Sequence, residues 1–88
     1  MTRENAIELL LDELDRAERL HPEWPADEVH AAAVVAEESG ELVQAALNHH
    51  YWKPGMPDCY FNDPSKMRTE AIHTGAMALR FLINMEEV

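Results

Sequence analysis

The sequence predicts an all-α protein, a three-helix chain whose bundle is completed by oligomerisation. Three observations point there. Apolar residues recur at spacings of three and four over three long segments, prolines and glycines gather mostly between those segments, and 88 residues at 47% hydrophobic content suit one small core. Residues 1–88 are therefore expected to form one domain, with no internal repeat or low-complexity segment. A chain of this length buries only about 60–65% of its unfolded surface, so apolar faces left without an internal partner favour association.

The first helix starts after Thr2, a suitable N-cap, and carries Ile7, Leu10, Leu11, Leu14, Ala17 and Leu20 at helical spacing before ending at "HPEWP". Its acids, including Asp12, Glu13 and Glu18, read as a solvated face. Pro22 and Pro25 make a rigid connector, in which Trp24 either anchors the connector to the helices or stacks on a ligand. The second helix spans about positions 26 to 50. Val29, Ala32, Ala36 and Val43 lie on one side, with Val35, Leu42 and Ala46 beside them, so this helix is expected to be buried nearly all round. "YWKPGMPDCYFNDP" breaks the pattern and reads as a loop. Asp63 then Pro64 is a cap followed by a first-turn proline, opening a third helix through "SKMRTEAIHTGAMALRFLINM". Gly40 and Gly75 in mid-helix each cost about 1 kcal/mol relative to alanine, which suggests close packing of helices two and three.

Asp and Glu outnumber Lys and Arg by 17 to 7, a net charge of −10. That balance argues against nucleic acid as a partner and against any polyanion unless metal ions intervene. No apolar run approaches membrane-spanning length, so no membrane is expected. The single Cys59 excludes an internal disulfide, and "MTRENAIELL" lacks the basic-then-apolar order of a signal peptide; both fit a cytoplasmic location. His49, His50 and Cys59 match no usual zinc spacing.

Glu37, Glu38 and Glu41 are placed in the apolar second helix at spacings of three and four, so their side chains share one side. Glu70 and His73 are three apart on the third helix. If the two helices pack antiparallel, these groups converge across the groove between them. Buried carboxylates need compensation, either from Arg68, Arg80, Lys53 or Lys66, or from a divalent cation. An open carboxylate cluster suits Mg²⁺, which keeps several waters and works with substrate phosphates. A solvated acidic stripe is the alternative that spacing leaves open.

"EESGELVQAAL" followed by "RTEAIHTGAMALRFL" resembles the MazG-like all-α nucleoside triphosphate pyrophosphohydrolases, whose pattern is ExxE on one helix and ExxD on the next. Glu38-Ser39-Gly40-Glu41 matches the first half. Glu70-Ala71-Ile72-His73 matches the second, with histidine where the family has aspartate. The resemblance covers about 29–82, and "HPEWPADEVHAAAVVAEESGEL" is similar to the short, stand-alone branch of phages and prophages. It implies an NTP pyrophosphohydrolase-like bundle, a homodimer or homotetramer, with Mg²⁺ (or Mn²⁺) as cofactor and a nucleoside triphosphate as substrate. Glu38, Glu41 and Glu70 would be metal ligands, and Glu37 the general base for water attacking the α-phosphorus. His73 stands at the fourth ligand position; imidazole suits Mn²⁺, Zn²⁺ or Fe²⁺ better than Mg²⁺, and a core histidine is the alternative.

Three further residues are substrate-binding candidates. Arg80 would contact a phosphate or pair with the acidic patch, Lys53 would contact a phosphate from the loop, and Trp52 would stack on the base or simply pack. Outside the enzyme class, two functions suit the same residues: a catalytically degenerate helical module binding nucleotide or protein, and a metal-storage or sensor protein.

Overall fold

The computed structural model describes residues 1–56 and 64–85, which form three α-helices in the order α1 (Arg3–Leu20), α2 (Glu28–Tyr51) and α3 (Pro64–Ile83), with no strand among them. None of these helices is long and apolar enough to cross a membrane. The fold is all-α, as the sequence predicts.

The caps show why the helices begin where they do. The Thr2 hydroxyl oxygen accepts from the Asn5 N–H at 3.1 Å, satisfying an otherwise free amide of the first turn. α2 starts slightly later than its apolar pattern suggests, because Asp27 serves as the cap and accepts from the Val29 N–H at 2.8 Å. α3 opens on Pro64 as expected; the cap expected at Asp63 and the thiol of Cys59 lie outside the described residues. It ends two residues before Met85, where both the backbone and side-chain nitrogens of Asn84 donate to the Arg80 carbonyl.

α3 is the central element and packs against both other helices. Glu38 faces His73 while Glu41 faces Glu70, so α2 and α3 run antiparallel; Glu13 faces His73 and His21 meets Arg80, so α1 runs alongside α3 in the same direction. Leu14 and Ala17 of α1 pack on Ala76 and Met77 of α3, with Trp24, Val34, Val35 and Leu79 closing around them. The connector is held down from α3. Arg80, almost fully buried, donates from its guanidinium to the carbonyls of His21 and Glu23 and lies 5.0 Å from the Trp24 ring centre. Trp24 thus anchors the connector, the first of the two roles its position suggests.

Two expectations are corrected. α2 is not buried nearly all round: Ala31 and Ala45 are buried and Val34, Val35, Glu38 and Leu42 partly so, while Val29, Ala33, Ala36, Gly40, Val43 and Leu47 are exposed. The exposed set is spaced four and three throughout, a continuous stripe about 180° round the helix from Glu38. Nor do both mid-helix glycines serve the α2–α3 contact. Gly75 is where α1 comes close, since a Cβ there would fall 2.5 Å from a Leu10 methyl, whereas nothing lies within 4 Å of a Cβ at Gly40. The fold is accordingly long and thin, 53 × 29 × 23 Å, with a Cα radius of gyration of 15.1 Å. A close-packed chain of this length would have about 12 Å.

Candidate metal centre

Antiparallel packing brings the α2 and α3 motifs together at mid-length. One oxygen each from Glu38 and Glu70 and one ring nitrogen of His73 lie within 4.8 Å of one another. His73 Nδ1 is 3.7 Å from Glu38 Oε2 and 3.6 Å from Glu70 Oε2. Those two oxygens are buried, and neither has a hydrogen-bond partner. Two orphaned carboxylate oxygens turned toward one imidazole nitrogen are unfavourable by themselves, because each has lost water and gained a like-charged neighbour. A cation among them removes the penalty. The donor set, two carboxylates and one imidazole, fits a divalent ion, with the imidazole favouring Mn²⁺ over Mg²⁺.

Charge around the centre is partly balanced by the chain itself. Lys66, one turn before Glu70, places Nζ 3.3 Å from Glu70 Oε1. Glu41 lies at the exposed rim. A hydrogen bond with Glu70 is the main reason its carboxyl is held above the usual carboxylate range; the charges of Glu38 and Glu70 push the same way, and His73 opposes them.

A residue read as solvated joins the centre from α1. Glu13 Oε2 stands 3.8 Å from His73 Nε2, and its side chain is only 14% exposed. Arg16 grips the Glu13 carboxylate with two bonds, Nε to Oε1 at 2.8 Å and a terminal nitrogen to Oε2 at 2.9 Å. Arg16 is the chief reason the Glu13 carboxyl is held below its ordinary value, and partial burial works against it. Spacing held the clue, since Glu13 lies three residues after Leu10 and four before Ala17, on the face that packs against α3.

Other expected site residues fall elsewhere. Glu37 is exposed, about 100° round α2 from Glu38. Arg80 does not pair with the acidic patch; its guanidinium is committed to the connector carbonyls and Trp24. Trp52 and Lys53 lie beyond the end of α2, and with about 1.5 Å of rise per residue Trp52 is about 21 Å along from Glu38. Trp52 packs in an apolar hollow with Leu47, Tyr51 and Met56, and the Lys53 N–H donates to Met56 Sδ. Within one chain, neither residue is brought to the cluster.

A groove of about 380 Å³ adjoins Glu38 and His73, walled by Arg16, Trp24, Met77 and Arg80. That volume is at the lower end of the range for small-molecule sites. Compared with protein-family models, curated proteins and solved structures, the chain finds no match.

Proposed function

We propose that this chain is a divalent-metal-dependent nucleotide pyrophosphohydrolase that cleaves a (deoxy)nucleoside triphosphate to the monophosphate and pyrophosphate. The observation that carries the reading is the pair of buried, unpartnered oxygens of Glu38 and Glu70 set against His73 Nδ1. The ExxE and ExxH spacings agree with it, and so does the adjoining groove. Glu38, Glu70 and His73 would hold the ion, with Glu41 at the rim as a further oxygen donor. Bound there, a divalent cation supplies charge neutralisation for phosphate oxygens and orientation for in-line attack.

The chain's own groups do the rest. The groove beside Glu38 receives the nucleoside, and Arg16 at its wall, with a side chain about half exposed, stays bound to the Glu13 carboxylate. Water adds to the α-phosphorus, the bond to the α–β bridging oxygen breaks, and pyrophosphate leaves with that oxygen. The water's proton passes to a carboxylate, for which the motif resemblance points to Glu37, exposed on the neighbouring face of α2. Trp52 and Lys53 belong to the substrate site only if a second copy supplies them.

The protein is further proposed to be a homodimer or homotetramer. Support comes from the exposed stripe on α2, whose three-and-four spacing and small residues Ala33, Ala36 and Gly40 let a second helix approach closely. A stripe opposite Glu38 leaves the cation centre of each chain intact.

The test is product analysis on a panel of nucleoside and deoxynucleoside triphosphates with Mg²⁺ or Mn²⁺. Pyrophosphate and monophosphate should form with the native chain and vanish in Glu38→Ala and Glu41→Ala. Nucleotide binding without turnover would instead favour a non-catalytic binding module, a reading that the Lys66–Glu70 pair supports because it balances charge without metal.

A further inference from the structure

We propose that Glu13 is a positioning residue for His73, so that the cation centre is built from three helices instead of the two that carry its ligands. The inference rests on the metal reading above and deepens it. His73 is held between two sets of carboxylate oxygens. Nε2 faces Glu13 of α1 at 3.8 Å, and Nδ1 faces Glu38 and Glu70 at 3.7 and 3.6 Å. An imidazole can donate from one nitrogen and present a lone pair from the other, and the partner of the donating nitrogen decides which is which. Metal-bound histidines generally have such a partner, most often a carboxylate or a backbone carbonyl.

Glu13 is suited to that task. Both of its oxygens are gripped by Arg16, so the carboxylate has a fixed orientation. Its side chain is mostly buried, and that of Glu70 on the other side of the ring is 5% exposed, so water competes weakly with either. Glu13, Arg16 and His73 together also form the ridge between two hollows, one containing Trp24 and Arg80 and the other Leu9 and Ile72. The ring of His73 lies between Glu13 on one side and the Glu38–Glu70 pair on the other. A histidine at this position carries no negative charge of its own, and Glu13 supplies one behind it.

The experiment is a double-mutant cycle read by Mn²⁺ binding to the full chain without nucleotide, by calorimetry and by loss of the free-ion electron paramagnetic resonance signal. Glu13→Leu and Glu13→Ala both keep a good helix former in α1, and circular dichroism is used to check that each is folded. Either should weaken Mn²⁺ binding by about 10- to 100-fold, the usual effect of removing a partner behind a ligand. Glu13→Gln keeps an acceptor for Nε2–H and should lose clearly less. In a His73→Ala background the Glu13 substitutions should have no further effect, because Glu13 acts only through the ring. An equal loss in both backgrounds would show a general electrostatic or structural role and overturn the proposal, as would unchanged affinity in Glu13→Leu. If the native chain itself fails to bind Mn²⁺, the metal reading falls and takes this inference with it; native binding that ignores Glu13 sinks the inference alone.

Discussion

Replacing Glu70 by glutamine separates the cost of the acidic cluster from its use. Glu70 is buried, and its unpartnered Oε2 belongs to a group of ligand atoms lying within 4.8 Å of one another. Two unit negative charges at that distance repel by about 3.5 kcal/mol at an effective dielectric of about 20. Lys66, 3.3 Å from Oε1, offsets part of this, but its side chain is 57% exposed and its attraction is screened. Net relief on neutralising Glu70 is then about 1–2 kcal/mol. The glutamine amide can also donate to the orphaned Glu38 oxygen. At about 4–8 °C per kcal/mol for a domain of this size, Glu70→Gln should melt roughly 4–16 °C above the native chain in EDTA. Adding Mn²⁺ at about one hundred times its dissociation constant stabilises the native chain by about 2.7 kcal/mol and the variant by much less. The order of melting temperatures should therefore reverse when metal is added. Thermal melts by circular dichroism, each in EDTA and in Mn²⁺, measure both arms. A Glu70→Gln variant that is less stable in EDTA, or that keeps the full Mn²⁺ shift, would refute the reasoning.

Other outcomes follow from the same geometry. Arg80→Ala should lose about 3 kcal/mol in urea unfolding, since it removes bonds from a buried guanidinium to two carbonyls and a cation–π contact; unchanged stability with a raised KM would make Arg80 a substrate ligand instead. Glu41 should titrate above an ordinary glutamate by nuclear magnetic resonance and fall back in Glu70→Gln. Its raised pKa means that its contribution to metal-free stability is full below the unfolded carboxylate pKa and lost as pH rises through the folded value. Glu13, with a lowered pKa, behaves oppositely: its contribution is present above the unfolded pKa and lost as pH falls through the folded one. Val43→Glu should shift the protein to monomers in sedimentation if α2 is a seam between copies. Gly40→Ala, with open space around it in one chain, should raise monomer stability by up to about 1 kcal/mol.

α1 and α3 are legible twice over, in apolar spacing and in a start signal, Thr2 as the cap of α1 and Pro64 in the first turn of α3, whereas α2 is legible from its apolar spacing alone. The Glu38–Glu70–His73 convergence was legible for a related reason. Two motifs of spacing three, joined by one loop, meet if their helices pack antiparallel with those sides facing. What spacing could not assign is which apolar face of α2 turns to α3, because Val29, Val43 and Leu47 are as hydrophobic as Val34, Val35 and Leu42. The exposed stripe emerges only when α3 claims the other side. Residue type alone marks Glu13 as solvated and Arg80 as a ligand, and burial overrides both. Both share faces with core residues, Glu13 with Leu10 and Ala17, Arg80 with Ala76 and Met77, and burial there gives a charge a fixed partner. Trp52 and Lys53 were grouped with the site by their chemistry, which carries no information about the length of helix between them and Glu38.

The most direct test of the central claim is hydrolysis of a turned-over nucleoside triphosphate in ¹⁸O-labelled water with Mn²⁺, followed by mass spectrometry of the products. One labelled oxygen in the monophosphate, none in pyrophosphate, and no turnover in Glu38→Ala is the expected result. Label in pyrophosphate or in inorganic phosphate, or no turnover of any triphosphate by the folded, Mn²⁺-bound native chain, would contradict it.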